Sequence, residues 1–481
     1  GVVATTPSRR GHGLQTRRHT ELAGSSGGGA VGEVGVDSFT GRGERLVGLQ
    51  NLGNTCFMNA CLQCLLHTDC LVDLFRRHVN EQWVCRKSRT QGALAMAFGE
   101  LLRLIEASPA YSNVSPSQVK HLVDRFAPHL SGYGQHDCQE FLRFFLDGLS
   151  EDLNRRGSGE GAPPHKPGKA EGCRQSAPLT PPPLTEEALA RLSADQQADR
   201  AWALHLGRND SDITSMFCGQ LHSRISCLTC GNVSHCFDPF FDLSLPLPRR
   251  QQLGGSGGSS DTFSGGIGDG DEGGGGATKS SCNGLRTGLV SGLEDCLRVF
   301  TMKETLEGDN RPMCARCRRR RKSAKCLAVH RFPPVLVVHL KRFRYDSTSR
   351  EKLSTAVEVP IAMLDLAPFS TSGARLSGDS LFGSWDIDSP RDRREIASRS
   401  STGSGKLSIG GVAPVYELYG VCNHVGGLKG GHYTAQCKVR PVDSDGGGWH
   451  TFDDSRVSGG DAIQIGRDAA YVLFYRLAVA R

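Results

Sequence analysis

The sequence has few aromatic residues, no long apolar run and little net charge. Aromatic side chains make up 7% of its 481 residues, and the hydrophobic fraction of 38% is low for a wholly packed protein. No run approaches the roughly eighteen apolar residues of a transmembrane helix, so we expect no membrane association. The net charge of +7 is modest, and nucleic acid is therefore not an expected partner.

The first residues lack the charged-then-apolar pattern of a secretory signal. Eighteen cysteines would indicate disulfides in a small secreted domain. Here they lie in a long chain, and several stand in CxxC or helix-like settings. We therefore expect a reducing compartment, cytoplasmic or nuclear.

Glycine-rich and serine-rich stretches divide the chain. Residues 1–45 are predicted to form a disordered tail. Three insertions are predicted, at about 156–184, 251–290 and 368–411, because these stretches lack the apolar residues that offset ordering entropy.

Periodicity between these stretches predicts helices first and strands later. Helical spacing covers 56–77, 91–107, 116–126 and 137–154. Strand-like runs follow at Phe240–Leu247, Val335–Phe343, Tyr416–Val421, His432–Val439 and Tyr471–Tyr475. This order predicts an α+β architecture.

Cys56 stands where a helix is predicted to begin. Gly53 permits a tight turn before it, and Asn54 or Thr55 can cap the helix. A thiol in the first turn meets unpaired backbone N–H groups and the positive end of the helix dipole, which both favour the thiolate. Asn51, on the approach loop, can direct its amide NH₂ towards a developing oxyanion. Alternatively, Cys56 is only a small buried residue, so the interpretation depends on a base.

His432 is the candidate base, on a predicted strand. With the hairpin turn centred between residues 442 and 443, Asp453 on the next strand lies directly opposite His432, with Cβ atoms about 5 Å apart. An aspartate there can hold the imidazole tautomer and stabilise its protonated form. An asymmetric loop would shift this register and leave Asp454 as the alternative. A lone histidine is more often structural, but the order Cys, His, Asp strengthens the assignment.

Two CxxC pairs predict a metal site. They are Cys227 with Cys230, and Cys314 with Cys317. Each pair directs two sulfurs at one point, and two pairs can close a tetrahedral Zn²⁺ site. Structural zinc is favoured over unligated thiols or a redox pair, and four cysteines leave no open position for a catalytic water. The pairs are far apart in sequence, so we expect each at the tip of a long hairpin.

Two charged groups have both a structural and a functional interpretation. Residues 316–325 contain seven basic side chains, which we interpret as a solvated face of the zinc module. A localisation signal or a nucleic-acid contact is the alternative. Asp137 and Glu140 lie in the first turn of a predicted helix, where the dipole favours acids. They could also receive a basic peptide tail.

Taken together, these segments resemble the ubiquitin-specific proteases over residues 46–477, apart from the insertions. Asn51–Phe57 resembles the family's cysteine box, and Gly431–Ala435 its histidine box. Gln135–Phe141 is similar to the QQDAQEF segment, with His136 and Cys138 as departures. Leu336–Phe343 and Tyr471–Tyr475 resemble two further family strands.

The resemblance implies a deubiquitinating cysteine protease with a papain-like fold. The expected subdomains are a helical thumb at 46–216, zinc-bearing fingers at 217–330 and a palm at 331–477. Cys56 is implied as nucleophile, His432 as base, Asp453 as the third member and Asn51 as oxyanion donor. The four cysteines of the CxxC pairs match the fingertip zinc site.

The implied partners are ubiquitin and ubiquitinated proteins. The fingers are expected to hold the body of ubiquitin, and its tail is expected to pass between thumb and palm. Asp137 and Glu140 become candidates for contact with that basic tail, and Gly430 and Gly431 for a passage narrow enough to select Gly-Gly. Two rival hypotheses are a non-catalytic ubiquitin-binding scaffold and a zinc-organised nucleic-acid module.

Overall fold

The computed structural model describes residues 45–78, 82–156, 181–248, 290–345, 350–376, 414–427, 430–439, 448–460, 465 and 468–478. The predicted tail apart from Arg45, and most of the three predicted insertions, lie outside these residues. No helix in the described ranges combines the length and the apolar character needed to cross a membrane.

Helices dominate the first half of the described chain. They are α1 (Cys56–Leu66), α2 (Asp69–His78), α3 (Ala93–Ala107), α4 (Ser117–Phe126), α5 (Cys138–Asp152), α6 (Glu186–Ala190), α7 (Ala194–Leu206), α8 (Asp212–Phe217) and α9 (Leu293–Thr301). The four helical segments predicted from periodicity all contain helix, whereas α6 to α9 were not predicted.

Strands dominate the second half. They are β1 (Gly48–Leu49), β2 (Asn113–Val114), β3 (Gly219–Cys227), β4 (Val233–Phe240), β5 (Leu243–Pro246), β6 (Val290–Gly292), β7 (Glu304–Leu306), β8 (Met313–Cys314), β9 (Arg319–Arg320), β10 (Ser323–Phe332), β11 (Val335–Lys341), β12 (Phe343–Tyr345), β13 (Arg350–Lys352), β14 (Ala356–Glu358), β15 (Leu364–Asp365), β16 (Ser370–Leu376), β17 (Val415–Gly427), β18 (Gly430–Lys438), β19 (Trp449–Asp453), β20 (Arg456–Gly460) and β21 (Ala470–Leu477).

Two sheets organise most of these strands. The larger has eight strands in the order β20-β19-β18-β17-β21-β11-β5, with β15 beside β17. The smaller has five strands in the order β16-β10-β3-β4, with β7 beside β10. Strand β16 falls at the start of the third predicted insertion, and its pairing with β10 shows that the first residues of that stretch are part of the sheet.

Several predicted elements have different bounds in the structure, among them three that are divided or begin late. The segment 56–77 forms two helices, because Thr68 donates its hydroxyl hydrogen bond to the Cys64 carbonyl and lies 2.7 Å from the Tyr419 hydroxyl, where the chain turns. Helix α3 begins two residues late, since Gln91 and Gly92 adopt positive φ. The run 240–247 is split between β4 and β5, which belong to different sheets.

Helix α1 lies between the larger sheet and α5. All eleven of its residues are buried. It packs against β17 and β18 on one side and against α5 on the other. Phe57 contacts Phe141 edge-on at 5.9 Å between ring centroids, and Phe141 stacks on Phe145 at 5.4 Å. This burial fixes the start of α1 beside the strand that carries the candidate base.

Candidate active site

Cys56 is the first residue of α1, as predicted, and only 3% of it is exposed. The predicted side-chain cap is not formed. Thr55 occupies the N-cap position, but its hydroxyl turns back and accepts a hydrogen bond from the Leu52 N–H at 2.9 Å. The threonine therefore stabilises the approach loop, and no side chain caps the first turn of the helix.

Asn51 organises the same loop through its side-chain amide. Its Oδ1 accepts hydrogen bonds from the Gly53 N–H at 2.9 Å and the Thr55 N–H at 3.2 Å. Its Nδ2 donates to Asp454 Oδ2 at 2.8 Å. The NH₂ that we predicted to face an oxyanion is thus held by a carboxylate in this state.

Asp454 holds two asparagine side chains beside Cys56. Its carboxylate accepts the Asn51 bond and a second bond from Asn59 Nδ2, at 2.8 Å. Its backbone carbonyl accepts a hydrogen bond from the Leu49 N–H, also at 2.8 Å, and its φ is +50°. The sequence offered Asp454 only as an alternative partner for His432, and it gave no sign of Asn59.

His432 and Asp453 are hydrogen-bonded, with His432 Nε2 2.6 Å from Asp453 Oδ1. Both side chains are about half exposed, at 46% and 48%. The predicted register was wrong by two residues. Ala435 pairs with Phe452, which places Thr434 rather than His432 across from Asp453. Because side chains alternate with a period of two, the shift leaves His432 and Asp453 on the same face.

Cys56 and His432 are close in the fold but not hydrogen-bonded, since no such bond joins them among the described contacts. Burial raises the pKa of Cys56, and the charge of Asp454 raises it further. The backbone N–H of Tyr433, next to His432, acts in the opposite direction and lowers it. The backbone N–H groups of Cys56 and Phe57 at the helix start also lower the pKa, as expected, but desolvation by burial outweighs them in this state.

Gln135 bridges the helical region and the strand of the candidate base, a contact that the sequence analysis missed. Its Nε2 donates to the Gly431 carbonyl at 2.8 Å, and its Oε1 accepts from the Gly431 N–H at 2.7 Å. We call this pair of bonds the Gln135 clasp. The only local signal was the position of Gln135 in a segment that resembles a family motif.

The two predicted passage glycines have little room for side chains. A Cβ on Gly431 would lie 2.2 Å from His424 Nε2 and 2.6 Å from the Val425 carbonyl oxygen. A Cβ on Gly430 would lie 3.3 Å from Gln135 Oε1. Only glycine fits at 431 without displacing backbone.

The two predicted acids have different environments. Asp137 is the N-cap of α5 and accepts the Gln139 N–H at 2.8 Å. Its other oxygen accepts a hydrogen bond from the Tyr471 hydroxyl, which ties α5 to the sheet. Glu140 is exposed in the first turn of α5. Asp137 therefore has a structural role as the cap of α5, independently of any contact with a peptide tail.

The four cysteines of the CxxC pairs meet, as their spacing predicted. All four sulfurs lie within 4.8 Å of one another, and Cys230 Sγ is 3.6 Å from Cys314 Sγ. Tetrahedral Zn–S bonds of about 2.3 Å place sulfurs about 3.8 Å apart, so the cluster fits that ion. The Cys230 backbone N–H lowers the pKa of Cys227 to about 6, whereas a hydrogen bond with Cys230 raises that of Cys317 to about 12. A divalent cation would favour the thiolate form at all four positions.

A second group of sulfurs lies inside the core behind α1. Cys61, Cys138 and Cys422 are fully buried, with their sulfurs within 4.8 Å of one another. Cys61 Sγ donates to the Cys138 carbonyl at 3.1 Å, and Cys64 Sγ lies 3.6 Å from Cys422 Sγ. These thiols pack as small apolar side chains between α1 and the sheet.

Comparison with known families decides the relationship. Residues 47–475 match the family model described as ubiquitin carboxyl-terminal hydrolase. The chain belongs to this family. The ubiquitin carboxyl-terminal hydrolase match covers both the cysteine and the histidine segments and confirms the resemblance found from the sequence motifs.

Curated relatives agree with this family assignment. The chain is 35% identical over 433 residues to ubiquitin carboxyl-terminal hydrolase 2 of Bos taurus, covering 90% of this chain and 55% of that protein. It is 35% identical over 431 residues to ubiquitin carboxyl-terminal hydrolase 21 of Homo sapiens, covering 90% and 61% respectively. It thus spans little more than half the length of these two proteins.

Solved structures of this hydrolase fold agree with the architecture. A chain of the SAGA Ubp8/Sgf11/Sus1/Sgf73 DUB module bound to ubiquitin aldehyde superimposes with a TM-score of 0.55 at 22% identity, covering 90% of this chain and 70% of that chain. A chain of a second structure of that module, bound to monoubiquitin, also superimposes with a TM-score of 0.55. It is 21% identical, and the match covers 92% of this chain and 72% of that chain. The predicted α+β, papain-like fold is confirmed.

The raised pKa of Cys56 predicts slow alkylation of this thiol at neutral pH. Because burial disfavours the thiolate, the midpoint of the rate against pH should lie above the ordinary thiol value of about 8.5. Iodoacetamide labelling of the free protein, followed by mass spectrometry of the Cys56 peptide, measures it.

The matched control for this labelling is His432→Ala. Since the ring makes no hydrogen bond to the sulfur among the described contacts, the profile should not change. A midpoint below the ordinary value, or a clear shift in the control, would contradict the geometry.

Asp454 is predicted to act through Asn51 as a positioning residue. Asp454→Ala releases the Asn51 amide and should lower kcat on a ubiquitin-based fluorogenic substrate about 10- to 100-fold, with little change in KM. Asn51→Ala should lower kcat on the same substrate about 100- to 1,000-fold.

The double variant distinguishes positioning from an independent role. If Asp454 works through Asn51, the combined loss equals that of Asn51→Ala alone. Losses that multiply would show that the two residues act separately.

Proposed function

We propose that this chain is a deubiquitinase that hydrolyses peptide and isopeptide bonds at the C-terminal glycine of ubiquitin. The observation that carries the proposal is that Cys56, at the start of a buried helix, is contacted by the backbone N–H of Tyr433, the residue after His432, while His432 is hydrogen-bonded to Asp453. Relatives named as ubiquitin carboxyl-terminal hydrolases, and a similar fold seen with ubiquitin aldehyde, support ubiquitin as the substrate.

The tail of ubiquitin would enter where the Gln135 clasp joins the thumb to the palm. Gly431 tolerates no side chain, and Gly430 lies close to Gln135. Because neither glycine carries a side chain, both leave their main chain accessible beside Gln135, which suits an incoming tail without side chains, such as Gly-Gly. Entry requires the two hydrogen bonds of the clasp to be exchanged for bonds to the incoming backbone.

The proposed reaction begins with activation of the sulfur. His432 turns towards Cys56 and removes its proton, while Asp453 keeps the imidazole oriented and stabilises its charge. The thiolate attacks the carbonyl carbon of the terminal glycine, and backbone N–H groups at the start of α1 stabilise the oxyanion with the Asn51 amide. The Asn51 NH₂ carries two hydrogens, so one remains on Asp454 and positions the amide while the other is donated to the oxyanion.

The second half of the reaction returns the enzyme to its starting state. Protonated His432 gives its proton to the leaving lysine amine, and the acyl group remains on Cys56 as a thioester. His432 then removes a proton from water, which attacks the thioester and releases the ubiquitin carboxylate. The thiolate leaves and recovers a proton from the imidazolium.

Recognition of the basic tail is assigned to acids on the thumb. Glu140 is exposed at the start of α5 and offers a carboxylate to an arginine of the tail. Asp137 supports the same region mainly by capping α5 and accepting the Tyr471 hydroxyl. Its contribution to binding is therefore partly indirect.

A second candidate function is a ubiquitin-binding scaffold without catalysis. It would rest on the raised pKa of Cys56 and the missing Cys56–His432 bond in this state. The complete set Cys56, His432 and Asp453 favours the enzyme.

The nucleophile is tested with Cys56→Ala. This variant should lose all measurable hydrolysis of a ubiquitin C-terminal fluorogenic substrate and keep its affinity for ubiquitin, since only the reacting atom is removed. Cys236→Ser, an exposed thiol outside the site, is the control and should keep wild-type activity.

Two outcomes would overturn the assignment. Full activity in Cys56→Ala would exclude this sulfur as nucleophile. Failure of the wild-type chain to form a covalent adduct with a ubiquitin probe that carries a C-terminal electrophile would favour the scaffold.

We also propose that the tip of the fingers binds one structural Zn²⁺ through Cys227, Cys230, Cys314 and Cys317. The bound ion would join the tips of two hairpins whose strands β3 and β10 are paired, and which are also linked by the Leu228 N–H bond to the Lys322 carbonyl, at 3.0 Å. Its chemistry there is structural, because four sulfurs fill the coordination shell.

Loss of one ligand should remove the metal. Cys317→Ser should lower the zinc content from about one ion per chain to near zero and lower the melting temperature, because binding favours the folded state. Elemental analysis and thermal melting measure both effects, again with Cys236→Ser as control. Equal zinc content in the two variants would exclude the site.

A further inference from the structure

The net charge of the chain is concentrated at one place. Residues 316–325 contain seven of the 57 lysines and arginines and no acid. Subtracting seven from 57 leaves 50 basic residues against 50 acidic residues in the rest of the chain. The whole excess of +7 therefore lies in ten residues, and the mechanism proposed above does not use them.

The structure places these residues at the exposed tip of the fingers. The turn after Cys314 carries Arg318, with φ of +52°, and its N–H bonds the Cys314 carbonyl at 2.7 Å. Strand β9 follows with Arg319 and Arg320, and all three arginines are exposed. The Arg318 bond and the pairing of β8 with β9 hold the backbone under them, so the three arginines form an array within one short hairpin turn.

Few acids in the same hairpin neutralise this array. Lys322 pairs with Glu307 at 2.7 Å, and Arg320 donates to the backbone carbonyl of Asp309, at 3.4 Å. Within the described residues, no hydrogen bond or ion pair reaches the guanidinium of Arg318 or Arg319. A Zn²⁺ held by four thiolates would add a net charge of about −2, which leaves the tip strongly positive.

Two large apolar side chains are exposed beside the array. Met313 is 66% exposed and Leu228 is 51% exposed. Leu228 lies on the neighbouring hairpin, which the hydrogen bond to Lys322 holds against the arginine turn. Arginine and methionine are enriched at protein interfaces, where lysine is depleted, and the run has five arginines and two lysines.

The composition of the tip favours a protein over a nucleic acid. Residues 227–232 and 302–325 contain no aromatic side chain, so the tip has no platform on which bases could stack. Phosphates would use the arginines but leave Met313 and Leu228 unpartnered. Carboxylates bind guanidinium groups in the same two-bonded geometry, and an acidic protein segment can also supply apolar side chains.

We propose that the fingertip surface, formed by Leu228, Met313 and residues 316–322, binds an acidic protein segment that carries apolar side chains among its carboxylates. Single exposed ion pairs contribute little, so several arginines act together, and the apolar contacts supply the remaining affinity. Binding is weakened by salt, because the charges are solvent-exposed. This surface is separate from the catalytic cleft and does not depend on the reaction proposed above.

The test uses the full chain and a fluorescein-labelled, Glu-rich peptide with Leu at every fourth position. Fluorescence anisotropy should show saturable binding that weakens with salt. The variant Arg318→Glu/Arg319→Glu/Arg320→Glu should weaken it at least about tenfold. The matched control, Lys87→Glu/Arg125→Glu/Arg191→Glu, makes the same charge change at exposed positions outside the tip and should stay within about twofold.

A second comparison isolates the apolar contact. Met313→Ser should weaken binding of the Leu-containing peptide severalfold. It should not change the affinity for a peptide of equal charge that has Ser in place of Leu. Zinc content and melting temperature check that each variant keeps its tip folded. If the triple variant unfolds, the Met313→Ser comparison still tests the proposal.

Four results would overturn the proposal. Two concern the charged contact: no binding of the Leu-containing peptide by the wild-type chain, or an equal loss of peptide affinity in the control triple variant. The other two are an equal effect of Met313→Ser on the affinity for both peptides, and tighter binding of a DNA duplex of matched charge than of the peptide. The last result would assign the surface to phosphates.

Discussion

Burial of helix α1 between the larger sheet and α5 is the constraint on which the site depends. All eleven residues of α1 are buried, so the position of Cys56 at its start is fixed by packing rather than by a capping side chain. The same burial raises the pKa of the thiol. Placement of the sulfur and the raised pKa of its thiol therefore have one cause, and the proposed reaction needs a base to remove the thiol proton.

Features set by local spacing could be predicted from the sequence. The start of α1 at Cys56 follows from the turn residues before it, and each CxxC pair fixes two sulfurs within four residues. The prediction for Asp453 had the wrong strand register but placed its side chain on the correct face of the sheet. The pairing differs by two residues, but a period of two keeps Asp453 beside His432.

Contacts between distant segments could not be predicted from one sequence. The Asn51 amide meets Asp454, which is 403 residues away, and Gln135 meets Gly431 across 296 residues. Neither spacing nor periodicity reports the direction of a polar side chain at such separations. Thr55 is a local example of the same limit, because its hydroxyl had two possible partners and bonded the loop instead of the helix.

The Gln135 clasp links the binding of a polypeptide to the position of the candidate base. Both of its hydrogen bonds end on the main chain of Gly431, the residue directly before His432. The proposed entry point for the tail and the candidate base are therefore adjacent residues of strand β18. A polypeptide that binds the N–H and the carbonyl of Gly431 in place of Gln135 would shift the neighbouring imidazole as it binds. The ring would then approach the sulfur only when a substrate is present.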